Sequence, residues 1–191
     1  MFVSVKSMVR AHFSNFLISE HIKKHRTFYS DRNQMEFFTK FYDNFEMRKF
    51  TNEDLDGCIK LYKEVFSSEP WNDGWLSNDQ VRYYLNELIE NPVFEGFVAY
   101  ENSDLIAVCL GHKRSWWSGK EFFIDELFVA NNMQGIGVGT HLLNYVECNP
   151  LISDCMRLIL LTNKDLPAEK FYLKMGFKIN ENRIIMEKNF I

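Results

Sequence analysis

Three closely spaced glycines, Gly135, Gly137 and Gly139, separate an apolar segment that predicts a strand from an amphipathic segment that predicts a helix. The first backbone N–H groups of a helix have no acceptor inside the helix, and the helix dipole places partial positive charge beside them. Glycines leave these groups uncovered, which suits the binding of phosphate. The spacing therefore predicts a site for a phosphate-bearing ligand, and the alternative is a glycine-rich turn that binds nothing.

The residues around these glycines narrow the choice of ligand. No Gly-Lys-Ser/Thr follows them, which argues against a nucleoside-triphosphate loop, and Thr140 stands where a dinucleotide-binding loop needs a third Gly or Ala. The sequence Gln134-Gly135-Ile136-Gly137-Val138-Gly139 instead resembles the pyrophosphate loop of the GNAT family of N-acetyltransferases, Gln/Arg-x-x-Gly-x-Gly/Ala. Asn131 stands where that family often has proline, and asparagine also suits a corner.

A second motif follows later in the chain, Ala168-Glu169-Lys170-Phe171-Tyr172-Leu173-Lys174-Met175-Gly176-Phe177. It resembles the GNAT signature Ala-x-x-Phe-Tyr-x-x-x-Gly-Phe and predicts a short helix that ends at Gly176, because glycine is favoured at helix C-termini. Two signatures in the family's order favour the resemblance over a turn without ligand. The resemblance covers residues 46–190. It implies an α/β (α+β) fold of three layers, with a mixed central sheet of about six to seven strands and helices on both faces.

The resemblance also implies acetyl-CoA as the cosubstrate. The backbone of Leu127, Phe128 and Val129 is expected to bind the pantetheine arm. Asn163, after the next predicted strand, is expected to reach the arm or the thioester, or else to be a turn residue only. The amides expected to hold the pyrophosphate are those of Gln134, Gly135, Ile136, Gly137, Val138, Gly139 and Thr140. Tyr172 matches the family tyrosine that faces the coenzyme sulfur and acts as general acid.

A carboxylate next to the predicted coenzyme strand is the candidate general base. Neighbouring strand residues face opposite sides of a sheet, so Glu126 and Phe128 are expected to face away from the side taken by Leu127 and Val129. Glu126 would then point into the acceptor cleft and remove a proton from the amine, directly or through water. The alternatives are that Glu126 only orients the substrate or pairs with a surface lysine, and that Asp125 is the base.

A loop rich in acids and tryptophans is expected to form the wall of the acceptor site. Glu69, Trp71 and Asp73 lie between two predicted helices, and together with Asp125 and Glu126 they would bind a cationic amine by charge and by cation–π contact. The alternative role of Trp71, and the favoured role of the nearby Trp75, is hydrophobic capping. Trp116 and Trp117 are expected to line the same cleft or to form a dimer contact.

Composition limits the remaining possibilities. The chain has 191 residues and a net charge of −4, which does not suit nucleic-acid binding and fits a cationic substrate. The four cysteines and five histidines show no metal-ligand spacing, so no metal is expected, and the cysteines are expected to be reduced. The sequence has no apolar run long enough to cross a membrane. We expect a cytoplasmic protein that acts on a small molecule, with a homodimer as an option.

The pattern of apolar residues predicts the order βααβββαβαββ from residue 46 onwards. The predicted helices lie at about 55–66, 78–89 and 136–148 and in the second motif. The predicted strands lie at about 46–50, 94–100, 105–112, 121–129, 157–162, 177–180 and 184–190, with early antiparallel and later parallel pairing. Residues 1–45 read as a helical extension, or a partly disordered segment, before an N-acetyltransferase domain at 46–191. Two short helices are predicted in the extension, around residues 8–18 and 35–42.

Three functions are compatible with these features. The leading hypothesis is an acetyl-CoA-dependent N-acetyltransferase that acts on a primary amine of a small molecule. The Glu-Pro-Trp loop and the Ile-Asp-Glu strand resemble the aminoglycoside 6′-type members of the GNAT family. The second hypothesis is a peptide or protein N-terminal acetyltransferase. The third is a non-catalytic sensor that binds an acyl-CoA.

Overall fold

The computed structural model describes residues 45–190 and divides into two compact units, one that ends at Leu160 and one that begins at Leu161. The two helices predicted in the N-terminal extension lie outside the described residues. Within the described residues, the first unit contains a sheet and three α-helices, and the second contains one α-helix.

A five-stranded mixed sheet forms the centre of the first unit. Its strands are β1 (Glu46–Lys49), β2 (Phe94–Glu101), β3 (Asp104–Trp116), β4 (Gly119–Val129) and β5 (Cys155–Leu160). They are arranged in the order β1-β2-β3-β4-β5. The pairs β1–β2, β2–β3 and β3–β4 are antiparallel, and the pair β4–β5 is parallel. The predicted change from antiparallel to parallel pairing near the glycine loop is therefore confirmed.

Three helices cover the sheet: α1 (Leu55–Phe66), α2 (Asn78–Ile89) and α3 (Val138–Glu147). Short polar residues begin the first two. Thr51 and Asp54 form a capping box before α1, and the Ser77 hydroxyl accepts the N–H of Gln80 at the start of α2. Helix α3 begins at Val138, two residues later than predicted, because Gly135 and Gly137 have positive φ angles.

The helices lie on both faces of the sheet, as expected. On one face α1 and α2 bury an apolar cluster against the sheet that includes Tyr62, Leu85, Leu110 and Phe128. On the other face α3 packs against β2, β3 and β4, and the ring of Phe97 contacts the rings of Phe122 and Tyr145. We refer to the first as the α1/α2 face.

The connection between β3 and β4 is tighter than predicted. The polar stretch at residues 113–120 was expected to be a loop, but β3 extends to Trp116, and only Trp117 and Ser118 lie outside the two strands. The physical reason is charge pairing across the hairpin and beyond it. Arg114 on β3 and Arg157 on β5 both form ion pairs with the buried carboxylate of Glu121, so polar residues can occupy strand positions.

The second unit departs from the predicted order. Its helix α4 (Pro167–Lys174) is followed by Gly176 at a φ of 88°, so the predicted glycine C-cap is confirmed. The strands predicted at 177–180 and 184–190 are absent from the described residues, which leaves five strands instead of six to seven. A strand needs a backbone partner, whereas the described hydrogen bonds at residues 180–183 form a local turn around Asn180.

Candidate active site

A β-bulge in β4 decides which side chains enter the site. Gly111 pairs with Ile124 and Leu110 pairs with Glu126, so Asp125 is an extra residue without a partner in β3. Glu126 lies on the α1/α2 face. Asp125 lies on the same face, because it contacts His112, which is two residues beyond Leu110 on β3. The bulge therefore brings two consecutive carboxylates to one side, where simple alternation would separate them.

Two tyrosine hydroxyls hold the carboxylate of Glu126. Tyr84 on α2 donates to Oε1 at 2.5 Å, and Tyr62 on α1 donates to the same oxygen at 3.2 Å. Both helices thus converge on one carboxylate oxygen. Neither tyrosine donates to the second oxygen, Oε2.

The surroundings of Glu126 shift its pKa towards neutral pH. Burial raises the pKa of Glu126 to about 7, against the hydrogen bonds from Tyr84 and Tyr62, which lower it. The negative charges of Asp125 and Asp73 add to the rise in pKa. Burial also raises the pKa of both tyrosines, so their hydroxyls keep their protons and remain donors. A base is most effective when its pKa lies near the operating pH.

The loop between α1 and α2 covers this carboxylate with aromatic rings. The ring of Trp75 packs on the rings of Tyr62 and Tyr84, with centroids 5.3 Å and 5.5 Å apart. Trp71 packs on Phe66 at 5.5 Å. Both tryptophans are partly buried against the core cluster. This position is compatible with hydrophobic capping, the favoured role of Trp75 and the alternative role of Trp71.

The acids of the same loop differ in their position. Asp73 is exposed, and its charge reaches both Glu126 and Tyr62. Glu69 is also exposed and precedes Pro70 through a cis peptide bond. Of the five residues predicted to bind the acceptor, the structure therefore brings Asp73, Asp125 and Glu126 together.

The far end of β4 has one free edge. Strand β5 ends at Leu160, opposite Ile124, so the later residues of β4 have no parallel strand partner in the described chain. Ala130 donates its N–H to the Ile106 carbonyl of β3. By the alternation of an antiparallel pair, the backbone groups of Leu127 and Val129 point to the opposite, open edge.

Phe128 does not fit its expected role. Its backbone groups point towards β3 by the same alternation, and its side chain is only 3% exposed, packed against Tyr62 and Phe66. The core position excludes its side chain from contact with a ligand at the open edge. Only Leu127 and Val129 of the predicted trio have the geometry to bind an extended arm.

The glycine loop forms the predicted corner before α3. Gly135 and Gly137 have φ angles of 76° and 101°, which favour glycine, and no side chain of the described residues caps the helix. The first amides of α3 are those of Val138, Gly139 and Thr140. Val138 is fully buried, whereas Gly139 and Thr140 are partly exposed. Gln134, Gly135 and Ile136 are exposed.

The Gln134 side chain holds the loop in place. Its amide nitrogen donates to the Val129 carbonyl at 3.0 Å and to Oδ1 of Asn131 at 3.1 Å, and the Asn131 amide donates to the hydroxyl of Ser68 at 3.3 Å. These contacts connect the end of β4, the glycine loop and the loop after α1. Asn131, where the family often has proline, therefore acts as a hydrogen-bonding corner.

The two remaining predicted residues belong to the second unit. Tyr172 is buried, and its ring contacts the rings of Phe171 and Phe177 at 5.2 Å and 5.4 Å. Asn163 is exposed and lies three residues beyond the end of β5, because that strand ends earlier than predicted.

Sequence reasoning missed the residues that define the environment of Glu126. Tyr62 and Tyr84 fall only within the predicted helices at 55–66 and 78–89, and His112 falls only within the predicted strand at 105–112. A buried phenol needs a hydrogen-bond partner, so tyrosines on the buried sides of two adjacent helices are the signal that could have found this pair. The bulge at Asp125 has no comparable signal in the sequence.

Within residues 45–190, no group of three or more His, Cys, Asp or Glu side chains is arranged to hold a metal ion. The helices of this part of the chain are all too short or too polar to cross a membrane.

Known proteins resemble this chain in sequence pattern and in fold. A sequence model of the Acetyltransferase (GNAT) family matches residues 55–177. No curated protein sequence matches the chain. The solved structure of a possible acetyltransferase from Clostridium difficile 630 superposes with a TM-score of 0.64 at 16% identity, over 77% of this chain and 98% of that chain.

Two solved aminoglycoside acetyltransferases have a similar fold. AAC(6')-Iy, in complex with CoA, has a TM-score of 0.60 and 18% identity over 76% of this chain and 94% of that chain. The enzyme meta-AAC0020 from an uncultured soil metagenomic sample, in complex with sisomicin, has a TM-score of 0.59 and 15% identity over 78% and 97%. At these identities the similarity shows the fold alone, whereas the family match spans most of the chain. The chain belongs to the GNAT family of acetyltransferases and is an acyltransferase.

Proposed function

We propose that the protein transfers the acetyl group of acetyl-CoA to a primary amine of a small cationic molecule, with Glu126 as the general base. The observation that carries this proposal is the environment of Glu126. Its carboxylate is held by Tyr62 and Tyr84 through one oxygen, and burial raises its pKa to about 7. A carboxylate that only paired with surface cations would not have this pKa.

The coenzyme fits two features of the first unit. The amides at the start of α3 carry partial positive charge and suit the pyrophosphate. The edge at Leu127 and Val129 offers backbone groups to the amides of the pantetheine arm, in the manner of an added strand, while the Val129 carbonyl also accepts from Gln134. Gly135 has no atom within 4 Å of the position that a Cβ would take, which leaves room for a ligand above the loop.

The chemistry begins with removal of a proton from the acceptor. Oε2 of Glu126 takes this proton from the ammonium group, and the amine nitrogen then attacks the thioester carbonyl carbon. The carbon–sulfur bond breaks as the amide forms. The second proton of the nitrogen goes to the departing thiolate, and by resemblance Tyr172 passes it on or hydrogen-bonds the thiolate. Base catalysis of this kind contributes about 10²–10⁴-fold to the rate.

The charges around the site favour a cationic acceptor. Asp73 and Asp125 lie near enough to Glu126 to raise its pKa through their negative charge. A positive acceptor relieves this repulsion, and the nearby Trp75 ring adds an aromatic face for a cation. The aminoglycoside acetyltransferases among the structures of similar fold support an acceptor of this chemical kind.

We also propose that residues 46–191 form the catalytic domain and that residues 1–45 are an extension to it. The family match over residues 55–177 supports this division.

The test is a thiol-release assay with acetyl-CoA and a panel of aminoglycosides, polyamines, amino acids and short peptides. We expect release that depends on a cationic small amine and is lost in Glu126→Gln. The exposed Glu87→Gln on α2 is the matched control and should retain full release. Turnover with peptides alone would instead support N-terminal acetylation. Binding of acetyl-CoA without turnover on any amine would support the sensor and contradict the proposal.

A further inference from the structure

An imidazole lies beside the candidate base on the same face of the sheet. Nδ1 of His112 is 2.7 Å from Oδ2 of Asp125, the bulge residue that precedes Glu126. The His112 ring also stacks on Phe123, with centroids 5.4 Å apart and planes inclined by 25°. These two contacts fix the orientation of the His112 ring, which has no role in the mechanism proposed above.

The contact with Asp125 determines which ring nitrogen can react. An ionised carboxylate only accepts hydrogen bonds, so Nδ1 of His112 carries the proton of this pair. In the neutral ring Nε2 then has a free lone pair. The His112 side chain is 25% exposed and that of Asp125 is 16% exposed, so the ring is the more accessible partner.

Acetylation of an ammonium leaves one proton to dispose of. The nitrogen loses two protons when it becomes an amide, and the thiolate takes only one of them. The other proton sits on Glu126, whose pKa of about 7 does not force its release at neutral pH. A nearby group that takes this proton and passes it to water would speed the return of Glu126 to its basic form.

Several groups that interact with Glu126 are poorly suited to take its proton. Those on the helices are Tyr62 and Cys58 of α1 and Tyr84 of α2. Burial raises the pKa of all three, so their protons stay in place and none can accept another. Two carboxylates also act on Glu126 through their charge: Asp73 on the exposed loop, and Asp125, which is bonded to His112.

We propose that His112, held by Asp125, receives the proton from Glu126 and releases it to solvent. This inference rests on the proposed function. The O–H bond on Glu126 breaks while an N–H bond forms on Nε2 of His112, through a bridging water. The resulting imidazolium is stabilised by the Asp125 carboxylate. Loss of the Nε2 proton to bulk water then restores both residues, and no other reactant is consumed.

The test compares full-length wild-type protein with His112→Gln, which keeps a donor for Asp125 and cannot take up a proton. With both substrates saturating in dilute buffer, we expect kcat to fall about 10²-fold, the low end for a lost proton transfer. The KM values should change less than about twofold. Added imidazole should restore kcat of the variant, because a small base can carry the proton. Lys60→Gln, at an exposed position on α1, is the control for expression and purification. Its kcat and KM values should equal those of the wild type.

Two kinetic results would overturn the proposal: equal kcat for His112→Gln and wild type at every buffer concentration, or a loss that imidazole does not restore. If His112→Gln does not fold, His112→Asn is measured in the same way.

A second measurement does not depend on turnover. Nitrogen-15 NMR of the His112 ring at pH 8 should show the tautomer with the proton on Nδ1. A proton on Nε2 would overturn the relay. If the wild type acetylates no amine, the proposed function fails. The NMR spectrum still decides separately whether Asp125 places the proton of His112 on Nδ1.

Discussion

The hydroxyl of Tyr84 lies 2.5 Å from Oε1 of Glu126, and this contact joins helix α2 to strand β4 at the candidate catalytic carboxylate. Tyr62 of α1 donates to the same oxygen. The hydrogen bonds lower the pKa of Glu126 while burial raises it, and the balance is a pKa of about 7. The two helices therefore set both the position and the basicity of the side chain.

Removal of the Tyr84 hydroxyl should raise the pKa of Glu126. A hydrogen bond to a charged group is worth roughly 1.5–3 kcal/mol, and one pKa unit is about 1.4 kcal/mol, so Tyr84→Phe should raise the pKa by about one unit. In the pH profile of kcat/KM the rising limb should move upwards by that amount, with little change above pH 9. Tyr83→Phe, at an exposed neighbouring position, is the control. An unshifted limb in Tyr84→Phe would contradict the role of this contact.

The hydroxyl of Tyr172 should matter for turnover more than for binding. If it protonates the departing thiolate, Tyr172→Phe should lower kcat by about 10²-fold and leave the KM for acetyl-CoA within about threefold. The ring contacts with Phe171 and Phe177 remain possible in the variant, so the fold should persist. Unchanged turnover would remove Tyr172 from the role of acid.

The backbone of the glycine loop should be sensitive to a single methyl group. Gly137 has a φ of 101°, so Gly137→Ala forces a strained conformation that costs on the order of 1–3 kcal/mol and displaces the first amides of α3. Calorimetry should show weaker binding of acetyl-CoA by at least about tenfold, together with a lower Tm. Gly74→Ala is the control, since its Cβ meets no atom within 4 Å and its φ is ordinary. Equal affinity in both variants would contradict phosphate binding by these amides.

The base of α1 should lose stability in acid. Burial raises the pKa of Asp54, but hydrogen bonds from Arg48 and Tyr100 outweigh it and lower the pKa from 3.8 to about 2. A lowered carboxyl pKa stabilises the fold above the unfolded pKa, and the contribution is lost as the pH falls through the folded pKa. Asp54→Asn should therefore cost about 2 kcal/mol at pH 7.

Urea unfolding at several pH values tests this prediction. The difference in free energy of unfolding between wild type and Asp54→Asn should shrink between pH 4 and pH 2. Asp56→Asn should cost at most about 0.5 kcal/mol, because its ion pair with Arg82 is exposed. A pH-independent difference for Asp54→Asn would show that packing, and not charge, is responsible.

The elements that the sequence predicts well are those with a strong local pattern. The bounds of α1, the bounds of α2 and the glycine C-cap after α4 each depend on neighbouring residues only. Local physics therefore suffices for their existence and for most of their boundaries. The same holds for Glu126, because alternation along β4 places it opposite Leu127.

What the sequence does not predict depends on contacts between distant residues. The length of β3 depends on Glu121, which bridges two arginines on different strands. The pKa of Glu126 depends on Tyr62 and Tyr84, which are 64 and 42 residues away in the chain. The segments after Phe177 have a strand-like pattern, but a pattern does not supply the partner that a strand requires.

The central claim is that Glu126 removes the proton of the acceptor amine. The pH dependence of kcat/KM for wild type and Glu126→Gln tests it most directly, once an acceptor is identified. For the wild type we predict activity that rises with pH through about 7, the pKa of Glu126. For Glu126→Gln we predict activity about 10²–10⁴-fold lower without that limb, while calorimetry shows unchanged acetyl-CoA binding. A Glu126→Gln profile that keeps wild-type activity and the same rise near pH 7 would contradict the claim.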